Sequence, residues 1–233
     1  MNSTVRYRSF LKRILRYEIT GVLFLGSLLF ATTQTEQRRD AFLKNPGDIQ
    51  AKFMWAEVAP CSTALRLYNE IVTVSIVNDT IKAAAFNALG EYNFAIKKYK
   101  VAAEQYKSSV KCHSSAKSRD RWALSLYCDG QYDAALILWN ALALEQKKEF
   151  GVTADFYSGC VALYSGKYSD ALSSFEKCGK PDLSKLLTIE ALSGKHFCLE
   201  KLGRQSDAAV VAEQFRKYNV PLIKWPVSSG MPV

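Results

Sequence analysis

Apolar positions recur along most of this chain at the spacing of helices, and three stretches share one order. They are Gly90-Glu91-Tyr92-Asn93-Phe94-Ala95-Ile96-Lys97-Lys98-Tyr99, Gly130-Gln131-Tyr132-Asp133-Ala134-Ala135-Leu136-Ile137-Leu138-Trp139 and Gly166-Lys167-Tyr168-Ser169-Asp170-Ala171-Leu172-Ser173-Ser174-Phe175. Each reads Gly-x-Tyr-x-x-Ala-x-x-x-aromatic. The Gly suits the end of one helix, where the backbone turns through a conformation that disfavours a Cβ. The Tyr packs at the turn. The Ala and the ring, four apart, lie on one face of the next helix: the small residue permits close approach and the ring fills the gap beyond it.

The elements follow from this order. Helix Ile81–Leu89 leads to a turn at Gly90 and a helix from Tyr92 to about Ser108. A polar break over Lys111–Ser118 precedes helices Arg119–Cys128 and Tyr132–Lys147 around Gly130. The chain restarts near Gly151, with helices Ala154–Ser165 and Tyr168–Cys178 around Gly166. After the stop signal Gly179-Lys180-Pro181-Asp182, a last pair covers Leu183–Leu202, interrupted near Gly194, and Gln205–Tyr218. The turn glycines Gly90, Gly130, Gly166 and Gly203 are spaced by 40, 36 and 37 residues. Upstream, Asn45-Pro46-Gly47-Asp48 is a turn in which Asp48 caps a helix over Ile49–Val58. Pro60 suits the first turn of the following helix, and that helix carries Ala64 and Tyr68. The β-branched run Ile71–Val77 is read as its continuation, and Asn78-Asp79-Thr80 caps the next helix. The fold class is all-α, an array of antiparallel helix pairs.

Charge changes the picture only at the N-terminus. The formal net charge is +9. Arg6, Arg8, Lys12, Arg13 and Arg16 all precede the first acidic residue, Glu18, leaving a nearly balanced body. Basic residues 1–16 are followed by the uncharged run Ile19–Thr33, which reaches spanning length when extended over residues 17–35. One transmembrane helix, an uncleaved signal anchor, is therefore expected ahead of the array. By the positive-inside rule the N-terminus is cytoplasmic, and the body lies across the membrane, in the periplasm of a bacterial envelope. The acid-free start also admits a mitochondrial membrane protein. Residues 36–77 form a juxtamembrane segment and a degenerate helical pair, 78–218 the repeat domain, and 219–233 a Pro-containing tail.

Candidate chemistry is sparse. Cys61, Cys112, Cys128, Cys160, Cys178 and Cys198 form no CxxC or zinc spacing, and small buried hydrophobes account for several of them. His113 and His196 lie two repeats apart. There is no phosphate-binding loop and no GxSxG, so no enzyme, metal or cofactor is expected. Lys97, Lys98, Lys100 and Lys107 flank Tyr99 and Tyr106, but with Tyr99 as the packing ring the lysines form a solvated face. No nucleic acid is expected.

The chain resembles a tetratricopeptide-repeat protein, whose unit of about 34 residues pairs two antiparallel helices. The resemblance expects a small residue seven before the turn Gly, where Ala83, Ala123 and Gly159 stand. Four before the Gly it expects an apolar residue, met by Phe86, Leu126, Ala162 and Leu199. The last unit departs, with His196 for the small residue, Gln205 for the Tyr and Ala212 for the ring, as suits a capping repeat. The resemblance implies a concave α-solenoid groove formed by the first helices, with Asn87, Leu124, Tyr127, Cys128, Phe156, Cys160, Tyr164 and Lys201 facing inward. Of these, Asn87, Tyr127, Tyr164 and Lys201 are the expected partner-binding residues, while Phe156 and Leu124 also suit packing between helices. The implied function is an adaptor that binds a peptide or helix of another protein. The alternative is a structural subunit of a secretion or motility assembly, with the oligomeric state left open.

Overall fold

The computed structural model describes residues 33–179 and 186–217. The basic segment 1–16, nearly all of the anchor segment 17–35 and the tail 219–233 lie outside the described residues. Among those described, no helix is long and apolar enough to cross a membrane.

The described residues are helical throughout, in two compact units that divide at Ala85 and Phe86. The first unit holds α1 (33–44), α2 (Ile49–Ala56) and α3 (Cys61–Thr73). Asp48 caps α2 as expected, its carboxylate accepting from the Gln50 and Ala51 amides at 2.9 and 3.3 Å. Pro60 stands at the N-cap of α3. Leu67, Tyr68 and Ile71 form the buried face of α3, with Phe53 of α2 edge-on to Tyr68 at 6.0 Å. Val74–Val77 leaves the helix, contrary to the helical reading of Ile71–Val77. Val74 is extended, at ψ 132°, which β-branched residues favour when no neighbouring turn compensates their stiffness.

α4 (Asp79–Ala95) passes through the division between the units. The second unit continues with α5 (Tyr99–Cys112), α6 (Ala116–Cys128), α7 (Tyr132–Glu145), α8 (Lys147–Tyr164), α9 (Tyr168–Lys177), α10 (Leu186–Lys201) and α11 (Gln205–Lys217). Each helix packs on the next along α5–α8, and α9 packs on both α8 and α10. Three boundaries differ from expectation. α8 starts right after Gln146 and continues through Gly151, and α10 runs through Gly194 without interruption.

The third difference sets the register of the whole first repeat. Gly90 is not a turn residue but lies inside α4, and the turn comes at Lys97. Lys97 is the one non-Gly residue at positive φ among those described, at 60°, alongside Gly130, Gly166 and Gly203 at 82°, 72° and 72°. These four are spaced by 33, 36 and 37 residues. Seven before each turn stand Gly90, Ala123, Gly159 and His196; five after stand Ala102, Ala135, Ala171 and Ala208. Those four alanines are at most 3% exposed. Nine after come the rings Tyr106, Trp139 and Phe175, all buried, and then Ala212. The packing ring of the first unit is thus Tyr106 rather than Tyr99, which is half-buried beside Phe94.

Glycines make room for two of these rings. A Cβ on Gly90 would lie 2.8 Å from the Tyr106 ring, and one on Gly159 would lie 2.6 Å from Phe175. Phe175 is also approached from its other side by Gly194, where a Cβ would stand 2.7 Å away. The ring therefore fills a slot between α8 and α10. Trp139 instead stacks on Tyr157 of α8 at 3.9 Å with 2° between the planes, and its indole N–H donates to Asp120 at 2.8 Å.

Candidate functional site

The second helices are committed to this interlocking, which leaves the first helices α4, α6, α8 and α10 to present side chains outward. The four residues expected to meet a partner all lie on them, in four different environments. Tyr127 is 1% exposed at the centre of an aromatic cluster, with Tyr132 at 5.3 Å, Trp139 at 5.9 Å and Tyr157 at 4.9 Å. It is a core residue. Phe156 and Cys160 are buried as well, and Phe156 packs edge-on to Tyr157. Leu124 and Cys128 are half-buried against the same core. Tyr164 is half-buried, with its hydroxyl oxygen covered and without a hydrogen-bond partner. Burial, then Cys160 and Tyr132 nearby, pushes its phenol up to about 12. Lys201 is exposed, with its ammonium 5.3 Å from the centre of the Phe197 ring.

Of the four, Asn87 lines a cavity between two first helices. A slot of about 160 Å³ opens between α4 and α6, with Tyr106 of α5 at its back. Local sequence explains its walls. Ser115 caps α6, its hydroxyl accepting from the Ser118 amide at 3.1 Å, and this turns Ser118 toward α4. The Asn87 Nδ2 donates to Ser118 Oγ at 3.0 Å, while its Oδ1 is covered and has no partner. On the adjoining turn Glu91 receives both Nε and Nη2 of Arg121, each at 2.8 Å, in a fork that binds α4 to α6. The Tyr106 side chain is 1% exposed, and its hydroxyl makes no hydrogen bond of good geometry. Burial first, then the Glu91 carboxylate nearby, raises its pKa, so the phenol keeps its proton.

Counted from Gly90, Asn87 falls three before the turn; counted from Lys97, where the turn lies, it falls ten before. Ser118, Tyr106 and the Glu91–Arg121 fork were not anticipated. A second copy of the motif, Lys97-Lys98-Tyr99-Lys100-Val101-Ala102-Ala103-Glu104-Gln105-Tyr106, carried the signal, with Lys in place of Gly.

A larger hollow of about 430 Å³ lies in the first unit, between α1 and α2, lined in part by Gln37, Arg38 and Met54. None of the covered polar atoms lacking partners belongs to its lining. All six cysteines are unpaired. Burial pushes Cys128 and Cys198 up to about 11 and Cys178 to about 12, so none of these three is an activated thiol. No group of acidic, His and Cys residues able to hold a metal occurs among the described residues.

No protein-family profile and no curated protein sequence matches the chain. Solved structures do. YrrB, described as "a TPR protein with an unusual peptide-binding site", superposes with a TM-score of 0.59 over 77% of this chain and 90% of its own, at 16% identity. A crystal structure of MamA gives 0.54 over 68% of this chain and 90% of its own, at 18% identity. The TPR-like repeats of a Podosopora anserina putative kinesin light chain give 0.53 over 80% and 92%, at 14% identity. The fold is a tetratricopeptide-type repeat array. In this tetratricopeptide-type fold Lys97, Gly130, Gly166 and Gly203 mark the turns between paired helices, and Asn87, Tyr164 and Lys201 sit on first helices of three different units.

Proposed function

We propose that this protein is a non-enzymatic adaptor whose first-helix face receives an extended or helical segment of another protein. One observation carries the reading. Among the described residues of the second unit, the second-helix rings Tyr106, Trp139 and Phe175 are buried in packing, whereas the first helices keep Asn87 and Tyr164 only half-buried and Lys201 exposed. Half-buried rings and exposed polar side chains on one face supply contact area and orientation to a peptide at low entropic cost. The peptide-binding site of YrrB is a property of that protein, but it supports the same use of this fold. Tyr127 is withdrawn from the contact set because its ring is enclosed; Asn87, Tyr164 and Lys201 remain.

The adaptor is tethered to a membrane by residues 17–35, with the array on the far side from the basic N-terminus. The order of a basic segment followed by an uncharged apolar run supports this. A bacterial inner membrane with a periplasmic body is the first location, a mitochondrial membrane the second. Photo-cross-linking in intact membranes tests both parts. A cross-linking residue at Tyr164 is expected to capture a protein partner, one at Ile137 is not, and the body is expected to be protease-accessible only from the far side. A soluble, uncaptured protein sinks the reading.

The alternative, a fixed subunit of a larger envelope assembly, draws on two exposed apolar residues seven apart on α7, Ile137 at 69% and Leu144 at 89% exposure. It predicts a large stable particle in mild detergent, captured through Ile137 instead of Tyr164.

A further inference from the structure

The four helix reversals of the second unit align position by position, and the first differs from the others in charge. Residues 92–102, around the turn at Lys97, hold Lys97, Lys98 and Lys100 and no acidic residue. The equivalent span around Gly130 holds Asp129 and Asp133 and no basic residue. Around Gly166, Lys167 is offset by Asp170. Around Gly203, Lys201 and Arg204 are offset by Glu200 and Asp207, and Arg204 pairs with Asp207 at 2.6 Å. The three later second helices each open with an Asp in the first turn, whereas α5 opens without an acid. Lys97, Lys98 and Lys100 are all exposed, and none joins an ion pair among the described residues. Lys97 keeps its charge at φ 60°, where the other three turns use Gly.

Apolar exposure concentrates at the same reversal. Tyr92, Ile96 and Val101 are 37%, 43% and 44% exposed. Packing of this unit does not need them, since Ala102 and Tyr106 fill the buried positions of its second helix. One before the turn, where Ile96 stands, the next two units carry Asp129 and Ser165; four after, where Val101 stands, the others carry Ala134, Asp170 and Asp207. Tyr92 and Ile96, four apart, share one face of α4. Phe94 braces the reversal from within, edge-on to Tyr99 at 5.2 Å and 5.8 Å from the Arg121 guanidinium.

We propose that the α4–α5 reversal docks on the surface of an anionic lipid bilayer. A tight reversal is convex, and exposed apolar side chains set among lysines match a flat boundary that is negative outside and apolar beneath. A tyrosine ring settles at headgroup level, and lysine stems lie along the apolar layer with their ammonium groups among the phosphates. An acidic protein segment would neutralise the lysines but leave Tyr92, Ile96 and Val101 in water unless it brought a matching concave apolar surface. Tyr164 and Lys201 belong to other units, so this docking leaves them open to a protein partner. The inference goes beyond the tether: residues 17–35 would hold the chain at a membrane, whereas the reversal selects the charge of the lipid it touches.

The test places an environment-sensitive fluorescent residue at Ile96 of the full-length chain and adds vesicles of phosphatidylcholine, with or without phosphatidylglycerol. A blue shift is expected with phosphatidylglycerol and not without it, reversed by high salt. Each lysine at an anionic surface is worth about fivefold in the docking equilibrium, so Lys98→Gln should weaken docking by that factor. The combined change Lys97→Gln, Lys98→Gln and Lys100→Gln should abolish the shift, with a thermal melt matching the parent's. The same probe at Ile137, exposed and apolar but without a lysine cluster, should stay unshifted. No shift with phosphatidylglycerol, a shift indifferent to lipid charge, an equal shift at Ile137, or one that survives the combined change overturns the docking. So does a response to an acidic peptide or to nucleic acid that vesicles fail to give. Flotation with phosphatidylcholine vesicles reports the tether separately: a chain that does not float there yet shifts with phosphatidylglycerol docks without a tether.

Discussion

At the level of single residues, the first repeat turns on two positions whose roles are exchanged relative to their appearance. Gly90 looks like a turn and is a packing residue; Lys97 looks like a surface lysine and is the turn. Lys97 holds φ at 60°, where a Cβ crowds the backbone and the other three turns use Gly. Gly90 instead admits the Tyr106 ring, which is enclosed and has little freedom to retreat. Substitutions at the two sites should therefore move stability in opposite directions. Lys97→Gly is expected to raise the denaturant midpoint by an amount worth about 1 kcal/mol, the strain relieved less the added flexibility of the unfolded chain. Gly90→Ala gains helix propensity of about 1 kcal/mol but loses about 1–3 kcal/mol to overpacking, so the net is a loss. Gly151→Ala is the control: its Cβ would meet only Lys147 Cγ at 3.5 Å, and the propensity gain should appear undiminished. A Gly90→Ala midpoint matching that of Gly151→Ala would overturn the packing role.

At the level of elements, the sequence made the helix pairs legible wherever a turn Gly and a buried Ala stood in register, as at Gly130 with Ala135 and Gly166 with Ala171. It misled where two near-copies of the motif overlapped seven residues apart, because a small residue is needed both at the turn and seven before it. The spacing of 40 residues was the outward sign of the error. The slot was not legible for a different reason: it depends on which first-helix side chains cross to the neighbouring helix, and Asn87 with Ser118, 31 residues apart, form no local pattern. Asp120 illustrates the same blindness. Burial raises its pKa, only partly offset by the Trp139 indole N–H and by Arg121. Because the folded value lies above the unfolded one, Asp120 adds most to stability when protonated and loses that contribution as pH rises through the folded pKa. Asp120→Asn keeps an acceptor for Trp139 without the charge. It should be more stable than the parent at neutral pH, with an advantage that shrinks as pH falls toward about 4. Parallel stability curves over that range would contradict the assignment.

For the molecule as a whole, the second unit is a row in which each pair leans on its neighbours, so stability should fall toward an end that has only one. Inside the row, α7 packs between α6 and α8, and α9 between α8 and α10. Their rings also reach into the next first helix: Trp139 onto Tyr157, Phe175 against Gly194. Among the described residues the last pair has no such reach. Ala212 stands where the ring would be, and α11 packs chiefly on α10 through Ala208, Val211 and Phe215. Local opening of α11 therefore breaks fewer apolar contacts than opening of α7 or α9, and it should cost less free energy. Hydrogen exchange on the full-length chain followed by mass spectrometry should show α11 amides exchanging well before those of α7 and α9, with α10 intermediate. A ring restored by Ala212→Phe has no following first helix to enter among the described residues, so it should not bring α11 to the protection of α9. Equal protection of α11 and α7 in the parent protein would mean that the final pair is held by something beyond its contact with α10.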